Sequence, residues 1–95
     1  MNEQKRRLVH NHGATQYELL INGVQAGYLD YELSGDLVVM HTTFMSEEYK
    51  GQGLGSSIVE AALQDARANG RKVVPRCPFV QAYLAKHPEY AEVVA

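Results

Sequence analysis

Leu37-Val38-Val39-Met40-His41-Thr42-Thr43-Phe44-Met45, then Tyr49-Lys50-Gly51-Gln52-Gly53-Leu54-Gly55-Ser56-Ser57, is the stretch on which the fold turns. Its first part is rich in β-branched and apolar residues, as a buried central strand is. Beyond the glycines the period changes. Leu54, Ile58, Ala62 and Ala66 recur every four residues, and Val59 with Leu63 widens the stripe. That spacing predicts an amphipathic helix from Gly53 to Ala68, and Asn69-Gly70 supplies its stop signal.

Outward from this unit, the N-terminal half reads as antiparallel strands. Thr15 to Ile21 alternates, with Tyr17, Leu19 and Ile21 on one side. Asn22-Gly23 is a two-residue hairpin signal. Its partner strand, Val24 to Leu33, sets Leu29, Tyr31 and Leu33 against Tyr28, Asp30 and Glu32, and Ser34-Gly35-Asp36 makes the next turn. Leu8 to His12 is expected to form a short opening strand. On the C-terminal side, Lys72 to Arg76 reads as a strand and Pro78 to Lys86 as a second helix, with proline in the first turn and His87-Pro88 as the stop. The pattern predicts one α+β domain over residues 1–95, a mixed, mostly antiparallel sheet flanked by two helices.

Composition bounds the function. With 95 residues there is room for one core. A net charge of -2 and an isoelectric point of about 6.0 give no global field for nucleic acid or an anionic membrane. The one basic run, Lys5-Arg6-Arg7, reads as a solvated start. The single cysteine, Cys77, has no internal disulfide partner, and zinc-type cysteine pairs are missing from the sequence. No apolar stretch nears the ~20 residues of a membrane span, and Met1 to Arg7 is too polar for a secretory signal. The expectation is a cytoplasmic monomer that binds neither nucleic acid nor membrane.

Gly51, Gly53 and Gly55 alternate between a strand's end and a helix's start. Such a turn lets a ligand approach the main chain. The free N–H groups and dipole of the helix start favour an anion there, helped by Lys50, Ser56 and Ser57. A phosphate or pyrophosphate suits this arrangement. The P-loop pattern is excluded because no lysine follows the glycines. The dinucleotide fingerprint is excluded because Ser56 stands where its third glycine belongs and antiparallel strands come first. The alternative is a glycine turn that merely joins strand to helix.

Tyr49-Lys50-Gly51-Gln52-Gly53-Leu54-Gly55 resembles the acyl-CoA signature of the GNAT acetyltransferases, Gln/Arg-x-x-Gly-x-Gly/Ala, with Lys50 in the first place. Lys50 keeps the charge of an arginine but not its bidentate fork. Together with His41-Thr42-Thr43 and Arg76-Cys77-Pro78-Phe79-Val80 through His87-Pro88-Glu89-Tyr90, it is similar to a minimal single-domain branch of that superfamily, from about Leu20 to Tyr90. The resemblance implies acetyl-CoA (or coenzyme A) as co-substrate. It puts the pantetheine arm along the edge of Thr43-Phe44-Met45 and the phosphates on Gln52 to Ser57, beside Lys50 and Gly51. It brings the thioester near Cys77 and adds Pro78 and Tyr83 to the coenzyme contacts. Thr43 stands where such members often carry an acidic residue. Ala85 stands where many carry a proton-donating tyrosine, with Tyr83 about half a turn away.

Acyl transfer to an amine needs a base, an electrostatic partner for the developing oxyanion and a proton for the leaving thiolate. Cys77, just before a helix that starts at Pro78, is an acyl-accepting nucleophile, a thiol proton donor or a small core residue. His41 is a candidate base or a satisfied strand histidine. His10 and His12 read as surface residues, His87 as a helix-end residue. Tyr17, Tyr28 and Tyr31 read as packing, and Glu47, Glu48 and Glu89 as solvated charges. The leading function is acetyl transfer from acetyl-CoA to a primary amine, a protein lysine or a small polyamine, by direct attack or through acyl-Cys77. A non-catalytic CoA- or acyl-CoA-binding module is the alternative, and a protein-interaction domain with a purely structural glycine turn is the third.

Overall fold

The computed structural model describes residues 5–95; Met1 to Gln4, part of the polar N-terminal stretch, lie outside the described residues. Strands β1 (Arg6–Asn11), β2 (Gln16–Ile21), β3 (Val24–Ser34) and β4 (Leu37–Met45) form an antiparallel meander. Strand β5 (Lys72–Pro75) then joins β4 in parallel, giving the sheet order β1-β2-β3-β4-β5. A parallel pair needs a crossover, and helix α1 (Leu54–Ala68) provides it. Helix α2 (Pro78–Lys86) follows β5, and a 3-10 segment runs over Pro88–Val93. The hairpin at Asn22-Gly23 has positive φ at both residues, 53° and 83°, the backbone that matches strand twist. The opening strand starts two residues before the expected Leu8, and the 3-10 segment was not anticipated.

One face of the sheet carries the core. Tyr17, Leu19, Ile21, Leu29, Tyr31, Val38 and Met40 are buried against the α1 stripe of Leu54, Ile58, Val59, Ala62, Leu63 and Ala66. Each fully buried aliphatic side chain contributes on the order of 1.5–3 kcal/mol. The 3-10 segment is fastened to α1 by Arg67, which lies 4.6 Å over the Tyr90 ring, donates to the Glu89 carbonyl at 2.8 Å and pairs with Glu92 at 2.6 Å. The opposite face, with Tyr28, Asp30, Glu32, His41 and Phe44, is open.

Strand β4 is central but not buried throughout. Val38 and Met40 are buried, whereas His41, Thr42 and Phe44 are exposed. Two local features cause this. Tyr31 pairs with Met40 and Asp30 with Thr42, so His41 is the extra residue of a β-bulge. On the other side, β5 ends at Pro75, opposite Met40. Proline has no N–H to extend the ladder, and the amides of Arg76 and Cys77 both turn onto the Met40 carbonyl, at 3.1 and 3.0 Å. Beyond Met40 the two strands part.

Gly27 pairs with Met45 at the far end of this divergence. A Cβ there would lie 2.6 Å from the Phe44 carbonyl oxygen, which is backbone. Gly27→Ala must therefore move β3 from β4, and a loss of about 1–3 kcal/mol is expected. Urea unfolding checks it; an unchanged midpoint would contradict the packing described.

His10 is not the surface residue the sequence suggested. Its ring stacks on Tyr17 at 4.1 Å, its Nε2 meets the Tyr31 hydroxyl at 2.6 Å, and its Nδ1 lies 3.3 Å from Asp65, which also accepts from the Tyr17 hydroxyl at 2.5 Å. Burial, then His12 and Arg71, hold His10 below its ordinary value of 6.5, with Asp65 pulling the other way. The unfolded chain thus takes up a proton that the folded chain refuses. Stability is full above the unfolded value and falls as pH drops below it. His10→Gln is expected to shallow this acid-side slope, read from urea midpoints across pH 5 to 8. Equal slopes in variant and parent would sink the assignment.

Candidate active site

The divergence of β4 and β5 opens one side of a cleft of about 400 Å³ between β4, the start of α1 and α2. Thr43 and Met45 come from β4, Tyr49 and Lys50 from the short 3-10 turn before the glycines and its end, Gly51, Gly53, Leu54, Gly55 and Ser56 from the loop and first turn of α1, and Phe79 from α2. Gly51 and Gly53 take φ of 80° and 74°, backbone that disfavours any side chain. Gly53 is the N-cap of α1 and offers no side chain to cap the first turn, which also holds no acidic residue. The first N–H groups of α1 are therefore available to an anion. Gly55 serves a different end: a Cβ on it would lie 3.0 Å from the Phe79 ring, so its absence lets that ring close over the helix start.

At the other end of the cleft stands Thr43. The bulge at His41 decides its direction, because Thr43 pairs with Leu29 and so shares the helix-side face with Met40. The Cys77 thiol donates to Thr43 Oγ1 at 3.4 Å. Cys77 is the N-cap of α2, with Pro78 at the first helical position, and it is buried. Burial pushes the thiol up. The Thr43 hydroxyl, the amides of Val80 and Phe79 at the start of α2 and the Thr43 backbone outweigh it, and the net displacement is below the ordinary thiol value.

His41 does not join this pair. It stands on the open face, where its Nε2 meets Glu32 Oε1 at 3.1 Å. The parting of β4 and β5 runs between the two faces, so His41 and Cys77 flank it from opposite sides.

The other expected coenzyme contacts divide. Lys50, Gly51, Gly53, Leu54, Gly55 and Ser56 line the cleft together with Thr43 and Met45. Lys50 is tied to Glu47 at 3.4 Å, and Gln52 folds back onto the Glu48 carbonyl at 3.4 Å. The Phe44 ring points to the open face and stacks on Tyr28 at 5.3 Å, so only its backbone belongs to the cleft edge. Ser57 lines a neighbouring hollow with Arg6 and Arg7. Tyr83 lies in another, beside Ser56 and Phe79. Burial, with Glu60 beside it, pushes the Tyr83 phenol up to about 12, which makes it a poor proton donor near neutrality. Pro78 starts α2 without lining the cleft. Tyr49 and Phe79 are lining residues that had been assigned no role. The signal for Phe79 was the glycine at position 55, whose missing Cβ makes room for it.

A family model described as GCN5-related N-acetyl-transferase matches residues 16–93. Among solved structures, the fold is shared with a GCN5-like candidate N-acetyltransferase from Staphylococcus aureus, with a TM-score of 0.73 and 21% sequence identity over 94% of this chain and 87% of that chain. No curated protein matches significantly. The match to the family model spans β2 through the final 3-10 segment, and with it the whole glycine turn, the β4–β5 divergence and the Thr43–Cys77 pair: the chain belongs to the GCN5-related N-acetyltransferase family.

Proposed function

We propose that this chain transfers an acetyl group from acetyl-CoA to a primary amine, a protein lysine or a small polyamine. The observation that carries the reading is the meeting, in one cleft, of the anion cradle at the start of α1, the unpartnered edge of β4 and the Thr43–Cys77 pair. Acetyl-CoA supplies an activated acyl group when bound. The residues present fit it. The α1 amides, Ser56 and Lys50 hold pyrophosphate; Lys50 has only an exposed pair with Glu47 to give up, and such pairs are worth little. The backbone edge from Thr43 to Met45 is open to the pantetheine amides.

The proton work falls to two pairs. On the helix side, Thr43 donates its hydroxyl proton into the cleft and takes the Cys77 thiol proton in its place; the α2 amides hold the resulting thiolate. On the open side, His41 donates Nε2–H to Glu32, which leaves Nδ1 to take the proton of an amine arriving at the bulge. A nucleophile must touch the acyl carbon, whereas a proton donor can act through one hydroxyl. Buried Cys77, reaching the cleft through Thr43, fits the second role, so direct attack is preferred to an acyl-Cys77 route. A reducing, cytoplasmic setting keeps Cys77 a thiol, and the cleft, lined by one chain, needs only a monomer.

Free-thiol release from acetyl-CoA with a panel of lysine peptides and polyamines tests the reading. Acceptor-dependent release above background is expected. Tight binding of acetyl-CoA with no acceptor-dependent release would instead make the chain a coenzyme-binding module.

A further inference from the structure

The face of the sheet turned away from the α1 core has no layer over it. By register, two rungs cross it: Gln16, Asp30 and Thr42 in one, Glu18, Tyr28 and Phe44 in the next. The Tyr28 and Phe44 rings stack at 5.3 Å, and Phe44 is 46% exposed. Asp30 Oδ1 accepts from the Gln16 amide and Glu18 Oε2 from the Asn11 amide, each at 3.0 Å. Neutral groups thus orient both carboxylates, and each keeps a second oxygen with no hydrogen-bond partner among the described residues. No ion pair among the described residues joins Glu18, Asp30 or Glu32 to a lysine or arginine. Register also puts Arg7 and Lys72 on this face, but on the outermost strands β1 and β5, and Lys72 is turned to the Glu92 carbonyl.

We propose that this face docks an extended basic segment of another protein, its acceptor lysine at His41 and its flanking cations on Asp30 and on the Tyr28–Phe44 pair beside Glu18. The inference rests on the acetyl-transfer reading above and names the class of its acceptor. In an extended chain, alternate side chains point the same way at intervals of about 7 Å. Glu32 holds His41; Asp30 lies two residues from it along β3, and Tyr28 two further. A lysine with cations at its second and fourth neighbours has the same spacing. A cation over the Tyr28–Phe44 rings is attracted by their faces, and Glu18, paired with Tyr28, supplies the countercharge. The three carboxylates argue against a second copy of this chain as occupant, because a two-fold interface would set like charges against each other. A small polyamine also fits less well. Small ligands take concave sites, and none of the hollows described is lined by Tyr28, Asp30 or Phe44.

The test compares kcat/KM for two peptides, one with arginine at the second and fourth positions on each side of its lysine, the other with glutamine there. The parent is expected to prefer the arginine peptide by about tenfold at low salt, and less as salt is added. A Glu18→Gln/Asp30→Asn double variant should bring that ratio close to one. Its unchanged rate with the glutamine peptide would show that it is folded and that the coenzyme site is intact. Equal rates in the parent, or a preference untouched in the double variant, would overturn the docking face while leaving acetyl transfer standing. Spermidine acetylated faster than the arginine peptide would assign the face to a small polyamine instead. A parent that dimerises in sedimentation velocity while the double variant stays monomeric would assign it to a second copy. If no acceptor is acetylated, titration of the labelled arginine peptide separates the two claims. Saturable binding lost in the double variant would keep the docking face and remove the acetyl-transfer reading, whereas no binding would remove the face.

Discussion

Gly53→Glu is expected to abolish coenzyme binding, a loss of at least about a hundredfold in affinity, equal to about 2.7 kcal/mol. Two effects combine at this residue. Gly53 has φ of 74°, so any side chain costs roughly 1–2 kcal/mol of backbone strain. The new carboxylate would also sit at the positive start of α1, where the proposed pyrophosphate belongs, and would satisfy the amides in its place. Gly53→Ala separates the two terms, because it carries the same strain without the charge. It should lower the melting temperature by several degrees, as expected for a domain of this size, yet keep most of the affinity. A Gly53→Glu protein that melts cooperatively and binds coenzyme like its parent would remove the cradle from the account.

The second large effect is expected at the Thr43–Cys77 pair. Cys77→Ala and Thr43→Val should each reduce kcat by about a hundredfold, the lower range for losing a positioned proton donor, with little change in KM for acetyl-CoA. If one relays for the other, as proposed, the double variant should be no slower than either single one. Additive losses would mean that the two residues act separately. Intact-mass analysis after incubation with acetyl-CoA and no amine gives the complementary result. An acetyl group on Cys77 that disappears on adding amine would establish the covalent route in place of the relay.

The helices were legible because their signals are local. Pro78 and His87-Pro88 bound α2 at Pro78–Lys86, and the four-residue stripe beyond the glycines gives α1. The hairpin at Asn22-Gly23 follows from two residues that tolerate positive φ. The faces of β4 were not legible. Simple alternation from Met40 puts Thr43 on the opposite face, and only the bulge at His41 restores it to the side of Cys77. A bulge is fixed by the register of the partner strand, which β4's own composition does not encode. The role of His10 depends on Asp65, brought to it only when α1 folds across the sheet. Likewise, the Phe79 ring gains its place over Gly55 only when α2 docks beside α1.

In the proposed function one cleft holds the coenzyme from the α1 amides to the β4 edge. Calorimetric titration of the parent chain with acetyl-CoA tests it most directly. Saturable one-to-one binding, displaced by CoA, is the result predicted. No measurable binding at millimolar ligand would contradict the account and return Gly51, Gly53 and Gly55 to the role of a turn.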